Sequence, residues 1–167
     1  CPFQCTYCCK PDTTYRSRSI DNVIKEMEQY YSHGIREFIF YDDLFNINKK
    51  RVIEISQAII DRKWKIKWNF RGRVDAVDKE MLDIAKAAGC WQIYFGVEAG
   101  TDEGLKQIKK NITIDQVKKA VKLTREAGIV SSTNWIIGLP HQKSRKDILR
   151  QIKTAISIDS VYAQINI

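Results

Sequence analysis

The 167 residues are enough for one domain and few for two. Hydrophobic residues at 44% and charged residues at 29% give the balance of a folded globular chain, and no apolar run approaches the ~18 residues of a helical membrane span. The net charge of +8 invites a nucleic-acid reading, but the basic pairs (Lys49-Lys50-Arg51, Arg62-Lys63, Lys109-Lys110, Lys118-Lys119, Arg145-Lys146) are scattered on or beside helices. They read as solvated surface, with no basic block of interleaved aromatics that would stack bases, so nucleic acid is not the favoured partner. The chain starts at Cys1, not at methionine, and reads as a piece of a longer protein.

Ser19 predicts the cap of a first helix, with Ile20, Val23, Ile24, Met27, Tyr30 and Tyr31 at three-four spacing and Gly34 as its left-handed stop. The apolar run Phe38 to Tyr41 predicts a strand, and a polar loop from Asp42 to Asn48 follows. A second helix is expected from Lys49 to Arg62, then a strand from Ile66 to Phe70. Asp78 caps a helix carrying Met81, Leu82, Ile84, Ala85 and Ala88, which stops at Gly89 before the strand Trp91 to Val97. Thr113 opens another, with Ile114, Val117, Val121 and Thr124 inward and Gly128 at its end, before the strand Ile129 to Ile137. Ser144 opens a last helix through Ile148, Ile152, Ala155 and Ile156, and a final strand runs from Val161 to Ile167.

Alternating helices and strands imply a parallel sheet with crossover helices. An eight-unit barrel takes roughly 250 residues, so this chain holds about five to six units. A doubly wound sheet and a partial barrel both fit that periodicity. Gln164 and Asn166 share one face of the final strand, which suits a polar lumen or a wet edge equally.

Four of the five cysteines, Cys1, Cys5, Cys8 and Cys9, fall within nine residues. A disulfide framework spreads its cysteines to close loops, and an odd, clustered set does not fit one. The cluster points to metal chemistry in a reducing compartment, the cytoplasm. Structural zinc asks for two split pairs of ligands, and His33 and His141 are lone. Cys1, Cys5 and Cys8, at spacings of four and three, can turn three sulfurs onto one centre. Cys9 is read as a non-ligand, because adjacent residues rarely aim both sulfurs at one site, and Cys90 as a buried structural thiol. Iron–sulfur clusters are held by thiolates, and three ligands on a four-iron cube leave one iron open.

This segment, with Tyr7 as the aromatic before the third cysteine, resembles the signature of the radical S-adenosylmethionine (SAM) enzymes. Later segments resemble the cobalamin-associated branch that includes the anaerobic magnesium-protoporphyrin ester cyclase. They are Tyr15 to Ser19, Phe40 to Phe45, Arg71 to Asp75, Ala88-Gly89-Cys90, Phe95 to Gly100 and Ile137-Gly138-Leu139-Pro140, in family order. After Pro140 the chain departs from the family's usual Gly-Glu-Thr with His141-Gln142-Lys143.

The resemblance implies an α/β fold, a partial (β/α)6 barrel of parallel strands whose first strand lies upstream of Cys1, with residues 1–167 as the core domain. It implies a 4Fe-4S cluster on Cys1, Cys5 and Cys8, SAM on the open iron, and a reductant such as flavodoxin or ferredoxin. One electron would cleave SAM to methionine and a 5′-deoxyadenosyl radical, or cobalamin bound by an upstream domain would carry a methyl group. In α/β barrels the chemistry collects at the C-terminal ends of strands. Asp42 or Asp43 would there accept from the SAM amine, and Arg73, with Arg71 second, would fork its carboxylate. Glu98 would accept from the ribose hydroxyls, while the backbone around Tyr7 and the strand before Gly138 would flank the adenine. Alternatively, Asp42 and Asp43 cap a turn, and the arginines pair with Asp75 or Glu98. Two other function classes fit the same residues less well: a non-catalytic iron–sulfur electron carrier using Cys9, and a basic nucleic-acid-binding domain.

Overall fold

The computed structural model describes residues 1–9 and 15–167. Helix α1 (Ile20–Ser32) starts where Ser19 Oγ accepts from Asn22 N, and β1 (Glu37–Phe40) follows. Helix α2 (Lys49–Asp61) is capped by Asn48 and precedes β2 (Lys67–Gly72). Asp78 caps α3 (Lys79–Ala87), which leads into β3 (Cys90–Glu98). Two helices come next, α4 (Asp102–Gln107) and α5 (Ile114–Glu126), the second held by a capping box of Thr113 and Gln116. Strand β4 (Val130–Ile136), α6 (Arg145–Ile158) and β5 (Tyr162–Asn166) complete the chain. Gly34, Gly89 and Gly128 all take the positive φ that ends a helix in a left-handed turn.

Every predicted helix and strand is present, with ends moved by two residues at most. Helix α4 was not expected. β2 continues past Phe70 because Arg71 and Gly72 still pair with Tyr94 and Phe95 of β3.

The five strands are parallel and lie in the order β1-β2-β3-β4-β5. A doubly wound sheet reverses its order at a switch point, and this one does not. Sequential order is that of a barrel wall.

Alternate strand residues separate two chemistries. Trp68, Phe70, Ile93, Phe95 and Trp135 are fully buried and form one cluster with Val52, Ile55, Ile59, Met81, Leu82, Val117 and Val121 from the helices. Phe45 seats the aromatic part of that core, 4.3 Å from Phe40 and 5.0 Å from Phe70 between ring centroids. Trp68 Nε1 donates to Ala88 O at 3.0 Å, so even the indole N–H is satisfied. Burial of a side chain this large contributes about 1.5–3 kcal/mol. The opposite face carries Asn69 and Arg71, then Gln92, Tyr94 and Gly96, then Ser132 and Asn134. Register places Gln164 beside Asn134 on that face, and Asn166 beside Ile136. Apolar helices thus cover one side of the sheet, and a polar wall is left on the other.

Candidate functional site

The cysteine loop crosses the C-terminal ends of the strands and is tied down along its length. Cys8 N donates to Cys5 O at 3.1 Å, and Thr6 N donates to Ile108 O at 3.0 Å, just beyond α4. The Arg73 guanidinium lies 3.8 Å from the centroid of the Phe3 ring. Lys110 Nζ donates to the Tyr7 hydroxyl at 3.0 Å. Cys5, Cys8, Cys9 and Cys90 are free thiols. Among the described residues no three His, Cys, Asp or Glu side chains gather closely enough to hold a single ion. A four-iron cube takes each thiolate on a different iron, so it asks for sulfurs spread along one wall.

A cavity of about 220 Å³ is lined by Cys1, Cys5 and Cys8 together with Arg71, Tyr94, Gly96, Glu98, Asn134, Phe3, Tyr7, Asp43, Arg73 and Lys110. Cys9, Asp42 and Gly138 lie outside the lining. The structure therefore brings together the three spaced cysteines with Tyr7, Asp43, Arg71, Arg73 and Glu98. Asp43 Oδ2 is 3.9 Å from the backbone nitrogen of Cys1. Gly138 instead holds its own loop, its N–H donating to Gln142 Oε1 at 2.7 Å.

The two arginines have different employment. Arg73 is buried and makes a fork with Asp75, Nε to Oδ1 at 2.8 Å and Nη2 to Oδ2 at 2.9 Å, while Nη2 also reaches Lys110 O at 2.9 Å. This is the Asp75 pairing anticipated as the alternative, with the arginine buried and the carboxylate partly open to solvent. Arg71 is exposed, stacks over Tyr41 at 4.3 Å and donates one bond to its hydroxyl at 2.9 Å. Most of its fork is left facing the cavity side.

Glu98 reaches the site through a distortion of β3. The register shifts between Gly96 and Glu98, and Glu98 has φ +77°, a left-handed conformation that is strained for a residue with a Cβ. The bulge re-aims the carboxylate at Lys110, with Oε1 3.4 Å from Nζ. A Cβ on residue 96 would displace that carboxylate oxygen, so glycine leaves the room the Glu98–Lys110 pair occupies. Burial pushes the Glu98 carboxyl above its ordinary range, opposed by the Lys110 ammonium. Burial, then the Glu98 charge, pushes the Tyr7 phenol up as well, so it stays protonated.

Lys110 corrects one expectation. Read as half of a solvated basic pair, it is 7% exposed. Ile108, Lys110 and Ile112 are all buried, and a spacing of two between isoleucines was the signal that the lysine faces inward. Asn134 was also missed as a site residue, and its Oδ1 is buried without a partner. Cys90 is buried as expected, its thiol pushed up to about 12 by desolvation.

The sequence profile of the radical SAM superfamily matches residues 1–152. The chain belongs to the radical SAM superfamily. It is 35% identical, over 100% of its length, to an uncharacterized methyltransferase of Pyrococcus horikoshii, of which it covers 37%. Over 85% of its length it is 36% identical to the anaerobic magnesium-protoporphyrin IX monomethyl ester cyclase of Cereibacter sphaeroides, of which it covers 24%. The radical SAM methyltransferase TsrM from Kitasatospora setae, solved with tryptophan and a SAM analogue, superposes with a TM-score of 0.90 at 21% identity, over 100% of this chain and 34% of that one. This likeness establishes the partial-barrel fold. TsrM has also been solved with cobalamin and a 4Fe-4S cluster. Enzymes of this superfamily use a 4Fe-4S cluster, SAM and a source of reducing electrons. It spans about a third or less of its relatives' length, by the 37% and 24% above. Among the described residues no helix is long and apolar enough to cross a membrane.

The residues present suit these cofactors. SAM carries a carboxylate, an amine and two ribose hydroxyls. Along with the three thiols the cavity offers Arg71, the Asp43 and Glu98 carboxylates, and the Asn134 acceptor, which has no partner among the described residues. An ammonium has three N–H donors, and Lys110 has partners for two, Tyr7 and Glu98.

Proposed function

We propose that residues 1–167 are the radical SAM core domain of a longer protein and that Cys1, Cys5 and Cys8 hold its 4Fe-4S cluster. The observation that carries this is that one cavity is lined by the three thiols together with three cations, Arg71, Arg73 and Lys110, two carboxylates, Asp43 and Glu98, and the Asn134 amide. Bound there, the cluster and SAM supply a 5′-deoxyadenosyl radical by one-electron cleavage of the sulfonium. The chain's own residues do the holding. Arg71 and the third N–H of Lys110 meet the SAM carboxylate, Asp43 accepts from the amine, and Glu98 and Asn134 accept from the ribose hydroxyls. The backbone at Tyr7 lies along the adenine.

Arg73 keeps the mouth in shape through Asp75 and Phe3. Likeness to methyltransferases and a cyclase supports cobalamin-linked chemistry of the methyl-transferring or ring-forming kind, with cobalamin bound outside these residues. The net charge of +8 suits an acidic reductant such as flavodoxin or ferredoxin, a cytoplasmic pairing.

Anaerobic reconstitution with iron and sulfide tests the reading. The protein should take up about four irons. The reduced cluster's electron paramagnetic resonance (EPR) signal should change on adding SAM, and 5′-deoxyadenosine should appear with dithionite. Cys8→Ala should lose the cluster and keep the fold, since Cys8 is exposed. Refusal of iron, or a cluster capped by four side chains and indifferent to SAM, overturns it.

A further inference from the structure

The cysteine loop has bracing that ligand binding alone does not explain. Three of its non-cysteine residues are gripped from the segment 108–110 or by a residue bonded to it. Thr6 N is bonded to Ile108 O, the Tyr7 hydroxyl to Lys110 Nζ, and Phe3 lies under the Arg73 guanidinium, whose Nη2 fixes Lys110 O. The gripping segment is itself unusual, because Lys109 and Asn111, on either side of Lys110, both have φ +54°. Backbone bent this way turns the lysine inward, where its side chain is 9% exposed against Glu98 at 11%.

Burying an ammonium–carboxylate pair is a poor way to gain stability, because desolvation offsets most of the attraction. Such pairs are better understood as devices that fix a geometry. Here the geometry fixed is that of Tyr7, which stands between Cys5 and Cys8. The phenol faces the Cys5 thiol as well as Glu98. The chain Glu98–Lys110–Tyr7 therefore runs from the bulge of β3 to the middle of the cysteine loop.

We propose that Lys110 is a positioning residue that clamps Tyr7 and so presets the cysteine loop in its cluster-binding form before any metal arrives. This rests on the cysteine loop being the cluster's seat, and it concerns how the seat is held. Preorganising a loop lowers the entropy that binding must overcome. Without the clamp the loop samples open forms, in which the half-buried Cys5 thiol is reached from solvent and iron is released faster.

The test is site-resolved alkylation of the thiols in the anaerobic, metal-free protein, read by mass spectrometry. Tyr7→Phe removes one oxygen and keeps the ring, and Lys110→Met removes the ammonium. Loss of one buried hydrogen bond raises local opening about tenfold. Alkylation of the half-buried Cys5 should therefore quicken by that factor in each variant, while the exposed Cys8 reacts at an unchanged rate and Cys90 stays protected. The double variant should be no faster than either single one, because the two residues act as a unit. Lys110→Arg, which keeps a donor, should restore part of the protection. After loading, both single variants should lose iron to a chelator faster than the parent and show a broadened cluster EPR signal.

A Cys5 rate equal to the parent's in Tyr7→Phe overturns the proposal, whether or not Lys110→Met folds. So does a parallel rise at Cys90, which would mark general loosening of the sheet. Failure of the parent to take iron would instead overturn the cluster assignment and leave the alkylation result readable.

Discussion

Asn46 touches no cysteine, yet the mouth of the site depends on it. Its Nδ2 donates to Arg73 O at 2.9 Å and Ala76 O at 3.0 Å, and its Oδ1 accepts from Arg73 N at 2.9 Å, all with the residue fully buried. Asn46→Ala leaves these backbone groups without partners, at about 1–3 kcal/mol each. We expect a loss of about 3 kcal/mol, read as a lower urea midpoint with an unchanged slope. The arginines should separate in the same kind of experiment. Arg71→Met should weaken SAM binding about tenfold in anaerobic equilibrium dialysis and leave the melting temperature within a degree or so, since Arg71 is exposed and its charge-assisted bonds go to ligand. Arg73→Met should lower the melting temperature clearly, because it strands Asp75 in a half-buried setting. The spacing of the cysteines and the resemblance around Glu98 pointed in the sequence to residues that line one cavity in the structure. The division of labour between Arg71 and Arg73 was not legible there, because both lie on one short segment and only the fold decides which of them meets Asp75.

At the scale of elements, caps and glycine stops were readable because they are local chemistry. Ser19, Asp78, Thr113 and Ser144 all cap the helices they were expected to open. Helix α4 escaped because six residues with Gly104 among them leave little periodic signal, although Thr101 followed by Asp102 and Glu103 is a helix start. The bulge in β3 escaped too, although Gly96 inside a strand pattern is a sign of one, because the glycine alone does not say where the register shifts.

The loop after β4 carries its own prediction. His141 packs against Gly104 with Nδ1 buried and unpartnered, beside Glu103, Asp147 and Arg150 in one small cavity. Desolvation lowers its pKa, and the Asp147 charge works the other way more weakly. The folded chain then binds the proton less readily than the unfolded chain. Stability from this group is complete above about pH 6.5 and is lost as pH falls through that value toward the lowered one. Asp147 is itself held below the usual carboxylate range by Ser144, so it stays ionised through the window. Melting temperatures taken from pH 8 to pH 5.5 should fall more steeply for the parent than for His141→Gln. Parallel curves would show that the imidazole does not titrate against the fold.

For the whole molecule, periodicity established a parallel α/β sheet and stopped there. A doubly wound sheet and a barrel wall share the same helix–strand rhythm and differ in strand order, which is a long-range property. The two edges of the sheet have a further consequence. All five residues of β5 are exposed, and β4 is its one partner. Ile165 is paired with Trp135, which puts it on the helix-bearing face, where Ile156 of α6 is 73% exposed and Val161 59%. An unpaired edge flanked by apolar side chains is a template for pairing with another strand. These 167 residues on their own should therefore self-associate, with a light-scattering mass that rises with concentration. Ile156→Lys combined with Ile165→Lys should return the mass to that of a monomer, since charge on an edge opposes pairing. SAM binding should be unchanged in that double variant, because neither residue lines the cavity. A parent that stays monomeric at every concentration would show that the edge is protected by its own twist and side chains, and the lysines would then make no difference.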